Sequence, residues 1–191
     1  MNVRCFIAVE LDTAVKKQLD RFQERLRRQM NVGQQSIKWV RSENIHLTLK
    51  FLGDVDDKMT HEIAAAVTKA AAGFDPFDFE PGNCGCFPEH GSTRVLWVGI
   101  NAGSEELEAL AEAVDVQLDK IGFAREGRRF SPHLTLARIR QSAAGYEVRH
   151  AVDEIEPFTL AAQSATHLAV LQSDLGGPRP VYTVLHRVPL G

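Results

Sequence analysis

The tetrapeptide HLTL occurs twice, at His46-Leu47-Thr48-Leu49 and at His133-Leu134-Thr135-Leu136. The copies stand nearly half of the 191-residue chain apart. In an extended strand, side chains at i and i+2 share a face. Each copy therefore predicts a strand that turns its leucines inward and sets a histidine beside a threonine, about 6.5–7 Å apart. If two lobes each carry one such strand and face one another, two imidazoles and two hydroxyls converge on one cleft.

The flanking pattern supports a weak internal duplication. Residues 3–10 read as a strand, after which Asp12 or Thr13 caps a helix with Val15, Leu19, Phe22 and Leu26 on one stripe. Strands over 37–40 and 45–53, the second closed by Gly53-Asp54, lead to an alanine-rich helix over 56–72. A short strand at 77–80 and a longer one at 94–100 follow. Ser104 caps a helix over 105–121 whose stripe is Leu107, Leu110, Val114 and Leu118. The second HLTL strand comes next, then a polar stretch at 141–154 that reads as a short helix or a loop. Strands near 157–163 and 166–172, a turn at Gly176-Gly177-Pro178 and a strand over 181–188 close the chain. No linker rich in Pro, Gly or Ser divides it. The expected architecture is α+β, a single two-lobed domain over 1–191.

Composition excludes several classes. With 44% hydrophobic and 25% charged residues the chain reads as an ordinary globular protein, and no apolar run is long enough to span a bilayer. The opening MNVRCFIAVELD turns acidic too soon for a signal peptide. Three cysteines, an odd number, argue against a disulfide framework, so a cytoplasmic location is expected. The net charge of −3 rules out a molecule that binds nucleic acid through bulk charge. Arg125, Arg128, Arg129, Arg138, Arg140 and Arg149 nevertheless crowd the second HLTL and favour an anionic substrate.

Two His-Thr pairs suit in-line chemistry at a phosphodiester. Such a reaction needs a base on one side, an acid on the other, and donors to the non-bridging oxygens. Histidine titrates near physiological pH, so one imidazole can be neutral while the other is protonated. Threonine hydroxyls can donate to oxygens that gain charge in the transition state. No metal or other cofactor is needed where side chains handle both protons. The segment Cys84-Gly85-Cys86 with His90 falls short of a structural zinc set and reads as a loop. His61, His150, His167 and His186 lack partners at useful spacing, while Trp39 and Trp97 read as core residues.

The segments RCFIAVEL, WVRSENIHLTLKFLGDV, FPEHGSTRVLWVGI, FSPHLTLARI and VYTVL together carry a resemblance. The chain resembles the two-histidine phosphoesterase superfamily, and within it the RNA 2',3'-cyclic phosphodiesterases once called 2'-5' RNA ligases. The resemblance implies a bilobed α+β fold with a pseudo-twofold axis, antiparallel sheets and both HxT strands lining a central cleft. It implies hydrolysis of 2',3'-cyclic phosphate ends of RNA, or of small cyclic nucleotides, to 2'-phosphates, with 2'-5' ligation as the reverse side activity. His46 would be the proton donor to the departing 3'-oxygen and His133 the acceptor that activates water. Thr48 and Thr135 would hold the non-bridging oxygens, and Phe51 and Arg138 would grip the terminal base and the phosphate region. Strand parity alone puts Phe51 off the His46 face, so it is expected to act from the strand's end. A monomer with no membrane partner is expected. Two other readings stay open: a non-catalytic RNA- or nucleotide-binding module, and an esterase for another cyclic phosphate such as an ADP-ribose derivative.

Overall fold

The computed structural model describes residues 2–30, 32–33, 35–177 and 179–191; Pro178 of the expected turn lies outside them. The first half of the chain forms β1 (Asn2–Val9), α1 (Thr13–Gln29), β2 (Ile37–Trp39), β3 (Leu47–Asp56), α2 (Thr60–Ala71) and β4 (Phe77–Phe87). The second forms β5 (Val95–Ala102), α3 (Ser104–Asp119), β6 (Leu134–Ile139), α4 (Ser142–Asp153), β7 (Gln163–Ala165), β8 (His167–Asp174) and β9 (Val181–Pro189). They build two antiparallel sheets, ordered β3-β1-β8-β9 and β2-β6-β5-β4-β7. Each HLTL motif thus supplies one strand to one sheet, β3 beside β1 and β6 beside β5. The polar stretch at 141–154 resolves as the helix α4.

The lobes are not consecutive halves of the chain. Helix α1 leaves β1 of the first sheet but packs on the second. There its fully buried Gln23 donates from Nε2 to the Leu136 carbonyl of β6 at 3.0 Å and to the Val40 carbonyl at 2.8 Å. Helix α3 leaves β5 of the second sheet but packs on α2 and β3 of the first. Strands β8 and β9 then come from the C-terminal end to complete the first sheet. The exchange is a matter of burial: each helix carries one apolar stripe that must find a covered face. Leu19, Leu26, Leu110, Leu118, Leu47 and Leu134 accordingly belong to one continuous core.

Several expected boundaries change, each for a visible reason. No strand runs over 157–163, where an isolated bridge joins Thr159 to Gly82. Side-chain amides satisfy that backbone instead: Phe158 N–H donates to Asn83 Oδ1 at 3.0 Å, and Ala161 N–H to Gln18 Oε1 at 2.7 Å. Cys84-Gly85-Cys86 is part of β4 and not a loop. Gly85 makes this possible, because a Cβ there would stand 2.4 Å from the Trp97 ring that covers it. Strand β3 continues past Gly53 to Asp56, so the alanine-rich helix starts only at Thr60. At α3 the N-cap is Gly103, at φ +80°, while Ser104 is the first helical residue. A side chain at 103 would meet the Asp78 carbonyl at 2.6 Å.

Candidate active site

His46 and His133 stand one residue ahead of β3 and β6, at the point where extended chain enters the ladder. Each imidazole is anchored two residues back. His133 Nδ1 lies 2.7 Å from the Ser131 carbonyl, and His46 bonds the backbone of Asn44. A carbonyl only accepts, so Nδ1 of His133 carries the hydrogen and Nε2 keeps its lone pair as the basic nitrogen.

Aromatic rings fix both imidazoles. His46 stacks on Phe6 at 4.6 Å between centroids and takes the edge of Tyr182 at 5.2 Å. His133 meets Phe87 edge-on at 5.1 Å, with Trp97 at 6.4 Å. Phe6 comes from β1 and Trp97 from β5, the strands that pair with β3 and β6. Phe6 also joins Ala8, Ala169 and Leu171 in a small apolar cluster, separate from the main core. These apolar surroundings disfavour charge. Burial, aided by the charge of Lys16, pulls His46 down to about 4. Burial likewise holds His133 below the ordinary histidine value, in the same sense as the Arg138 charge.

A β-bulge in each motif explains how Phe51 and Arg138 reach the site. On β3, Ile7 pairs with Lys50 but Ala8 pairs with Thr48, so Leu49 is an extra residue. On β6, Leu96 pairs with Ala137 but Trp97 pairs with Thr135, so Leu136 is extra. A bulge shifts the alternation by one. Leu49 and Lys50 are consequently both buried, as are Leu136 and Ala137, and Phe51 and Arg138 turn to the same side as the threonines. Phe51 is 61% exposed. The parity argument that put Phe51 off the histidine face is thereby overturned; an undisturbed strand would have misplaced Arg138 equally.

His46, Thr48, Phe51, His133, Thr135 and Arg138 all line one cavity of about 170 Å³. Sequence reasoning missed Phe6, Tyr182 and Arg4, which line it too. Burial pushes the Tyr182 phenol up, with the Arg138 charge opposing. The only sequence signal for Tyr182 was its place at the start of the last strand. Half of the arginine cluster, in contrast, has structural partners. Arg125 bonds Asp115 and Glu112, Arg129 bonds Glu108, and Arg149 donates to the carbonyls of Pro88, Glu89 and Gly91. Cys84 and Cys86 are raised by burial, Cys84 to about 11, and pack as protonated thiols. Among the described residues no group of three or more His, Cys, Asp or Glu could hold a metal ion. Three of the remaining histidines do find partners away from the cleft: His61 and His186 meet with ring centroids 5.2 Å apart. His167 Nε2 lies 3.0 Å from a carboxylate oxygen of Glu10. No helix among the described residues is long and apolar enough to cross a membrane.

Comparison with known proteins agrees with this duplicated site. The family model described as LigT-like phosphoesterase matches twice, over residues 9–97 and 98–182. An RNA 2',3'-cyclic phosphodiesterase of Methanothermobacter thermautotrophicus is 30% identical over 183 residues, 96% of each chain. One from Thermotoga maritima is 32% identical over 184 residues, 96% of this chain and 94% of the relative. The structure of E. coli LigT in complex with 3'-AMP superposes with a TM-score of 0.77 at 21% identity, covering 100% of this chain and 99% of the other. Two tandem matches that cover nearly the whole chain, each containing one HLTL, place it: the chain belongs to the LigT-like phosphoesterase family of the two-histidine superfamily.

Proposed function

We propose that the protein hydrolyses 2',3'-cyclic phosphate ends of RNA, or small 2',3'-cyclic nucleotides, to 2'-phosphates without a metal. The observation that carries this is the convergence of both His-Thr pairs, from opposite halves of the chain, on one small cavity. The names borne by the relatives support the choice of substrate. In the reaction His133 Nε2 takes a proton from water, whose oxygen forms a new bond to phosphorus. The P–O3' bond opposite breaks, and protonated His46 gives its proton to the leaving 3'-oxygen. Thr48 and Thr135 donate to the non-bridging oxygens, while Arg138 and Phe51 hold the phosphate region and the base. With a free 5'-hydroxyl in place of water, the same groups join RNA ends. His133 takes the 5'-hydroxyl proton, and the 5'-oxygen bonds to phosphorus. The P–O3' bond breaks with the proton from His46, and a 2'-5' bond remains. Because one chain supplies both motifs, the reading needs only a monomer; three free thiols accord with the cytoplasm.

The deciding assay is product analysis on an RNA ending in a 2',3'-cyclic phosphate, with EDTA present. The expected result is an undiminished rate and a 2'-phosphate product. Turnover abolished by the chelator would point to a metal enzyme. No turnover under any condition would favour a binding module, and a 3'-phosphate would reverse which oxygen leaves.

The depressed imidazoles give a pH prediction with a definite sign. The productive form carries one proton on the pair, with one imidazole protonated and the other neutral. Because burial holds both groups below the ordinary histidine value, that form is disfavoured at neutral pH in the free protein. The ratio kcat/KM is therefore expected to rise as pH falls from 8 to 6, with its alkaline limb below 6.5. A bound phosphate anion favours the imidazolium, so the limb in kcat should lie at higher pH than that in kcat/KM. Coincident limbs at or above pH 7 would contradict this account.

A further inference from the structure

A second, larger cavity of about 670 Å³ opens beside the cleft and shares Thr48, Phe51 and His133 with it. The smaller cavity, about 170 Å³, lies below the roughly 300–1,000 Å³ usual for sites that enclose a drug-sized ligand. It suits a cyclic phosphate with its sugar. The larger one is of the size that takes a base.

Its walls point the same way. Phe51, shared with the smaller cavity, is taken by the terminal base. Phe87 and Phe130 line the larger cavity alone and present further aromatic surface, on which nucleobases of any sequence stack. Glu108 and Glu112 on α3 add carboxylate acceptors, which match the exocyclic amino groups of adenine, cytosine or guanine. Both carboxylates are already held by arginines, Glu108 by Arg129 at 2.7 Å and Glu112 by Arg125, so the acceptors stand in fixed places. Arg128 on the same wall can meet the sugar-phosphate backbone that enters beside the base.

We infer that this chamber receives the base of the second-to-last nucleotide of an RNA whose terminal cyclic phosphate lies between His46 and His133. The inference rests on the proposed phosphodiesterase reading and deepens it: the protein is built for an RNA end in preference to a free cyclic nucleotide.

The test compares kcat/KM for a 2',3'-cyclic mononucleotide with that for a dinucleotide ending in the same cyclic phosphate. The dinucleotide should be preferred by about tenfold or more, the scale of one base–aromatic stack. Phe130→Ala should lower the ratio between the two substrates by a similar factor. An abasic residue at the second-to-last position should do so with the unaltered protein, which keeps the test independent of how the variant folds. Equal use of both substrates, or a preference that survives removal of the base, would overturn the inference while leaving the proposed reaction standing. Failure to turn over either substrate would sink the reaction itself and this inference with it.

Discussion

Replacing His46 or His133 with alanine is expected to lower kcat/KM on a 2',3'-cyclic phosphate by about 10²–10⁴-fold each. The fold should survive, because neither side chain is part of the buried core and each is anchored only through its ring to nearby backbone and aromatics. The two losses should fall well short of multiplying in the double variant. Acid and base act in one transition state, and removing either already forfeits the concerted transfer. Thr48→Ala and Thr135→Ala should each cost about 2–4 kcal/mol of transition-state stabilisation, the range seen for a deleted oxyanion donor. These effects belong in kcat, since the hydroxyls gain most as charge grows on the phosphoryl oxygens. Single-turnover rates with circular dichroism as a fold control check all four. Near-normal turnover by either histidine variant would remove the mechanism.

The motif was legible because strand periodicity is local. His46, Thr48, His133 and Thr135 could be assigned a common side from spacing two alone. Phe51 and Arg138 could not, because their side depends on a bulge, and a bulge is set by register with β1 and β5, far away in sequence. The usual clue, two apolar residues in succession, was disguised on β3. There the second inward residue is Lys50, which any alternation rule reads as outward. The continuation of β4 beyond the expected strand at 77–80 escaped notice for a related reason. Cys84-Gly85-Cys86 read as a loop, yet Gly85 is there to pass beneath Trp97. The duplication itself was visible, but not the exchange of α1 and α3. A stripe says that a helix face is covered without naming the sheet that covers it.

That exchange gives the bulges matching supports, and one of them is open to a sharp test. Gln23 follows Phe22 on α1 as Asp115 follows Val114 on α3, and both are buried against the bulge of the opposite half. On the second sheet Gln23 serves the Leu136 carbonyl. On the first, Asp115 binds the ammonium of Lys50, which also donates to the Ala124 carbonyl at 2.7 Å. Burial pushes the Asp115 carboxyl up, but the Lys50 and Arg125 hydrogen bonds and the Glu126 N–H outweigh it and hold it below its usual range. Lys50 is 4% exposed and Asp115 is 5% exposed, so removing one partner strands the other's charge. Asp115→Ala is expected to destabilise the fold by about 3–5 kcal/mol, read as a lower urea midpoint. The double variant Lys50→Met with Asp115→Leu should recover most of that loss, because a neutral pair of similar volume carries no stranded charge. Recovery of stability without full recovery of kcat/KM would show that the ion pair also sets the bulge that aims Thr48 and Phe51. If Asp115→Ala instead unfolds at the same urea concentration as the parent, the buried pair contributes nothing and the bulge is held by the β1 ladder alone.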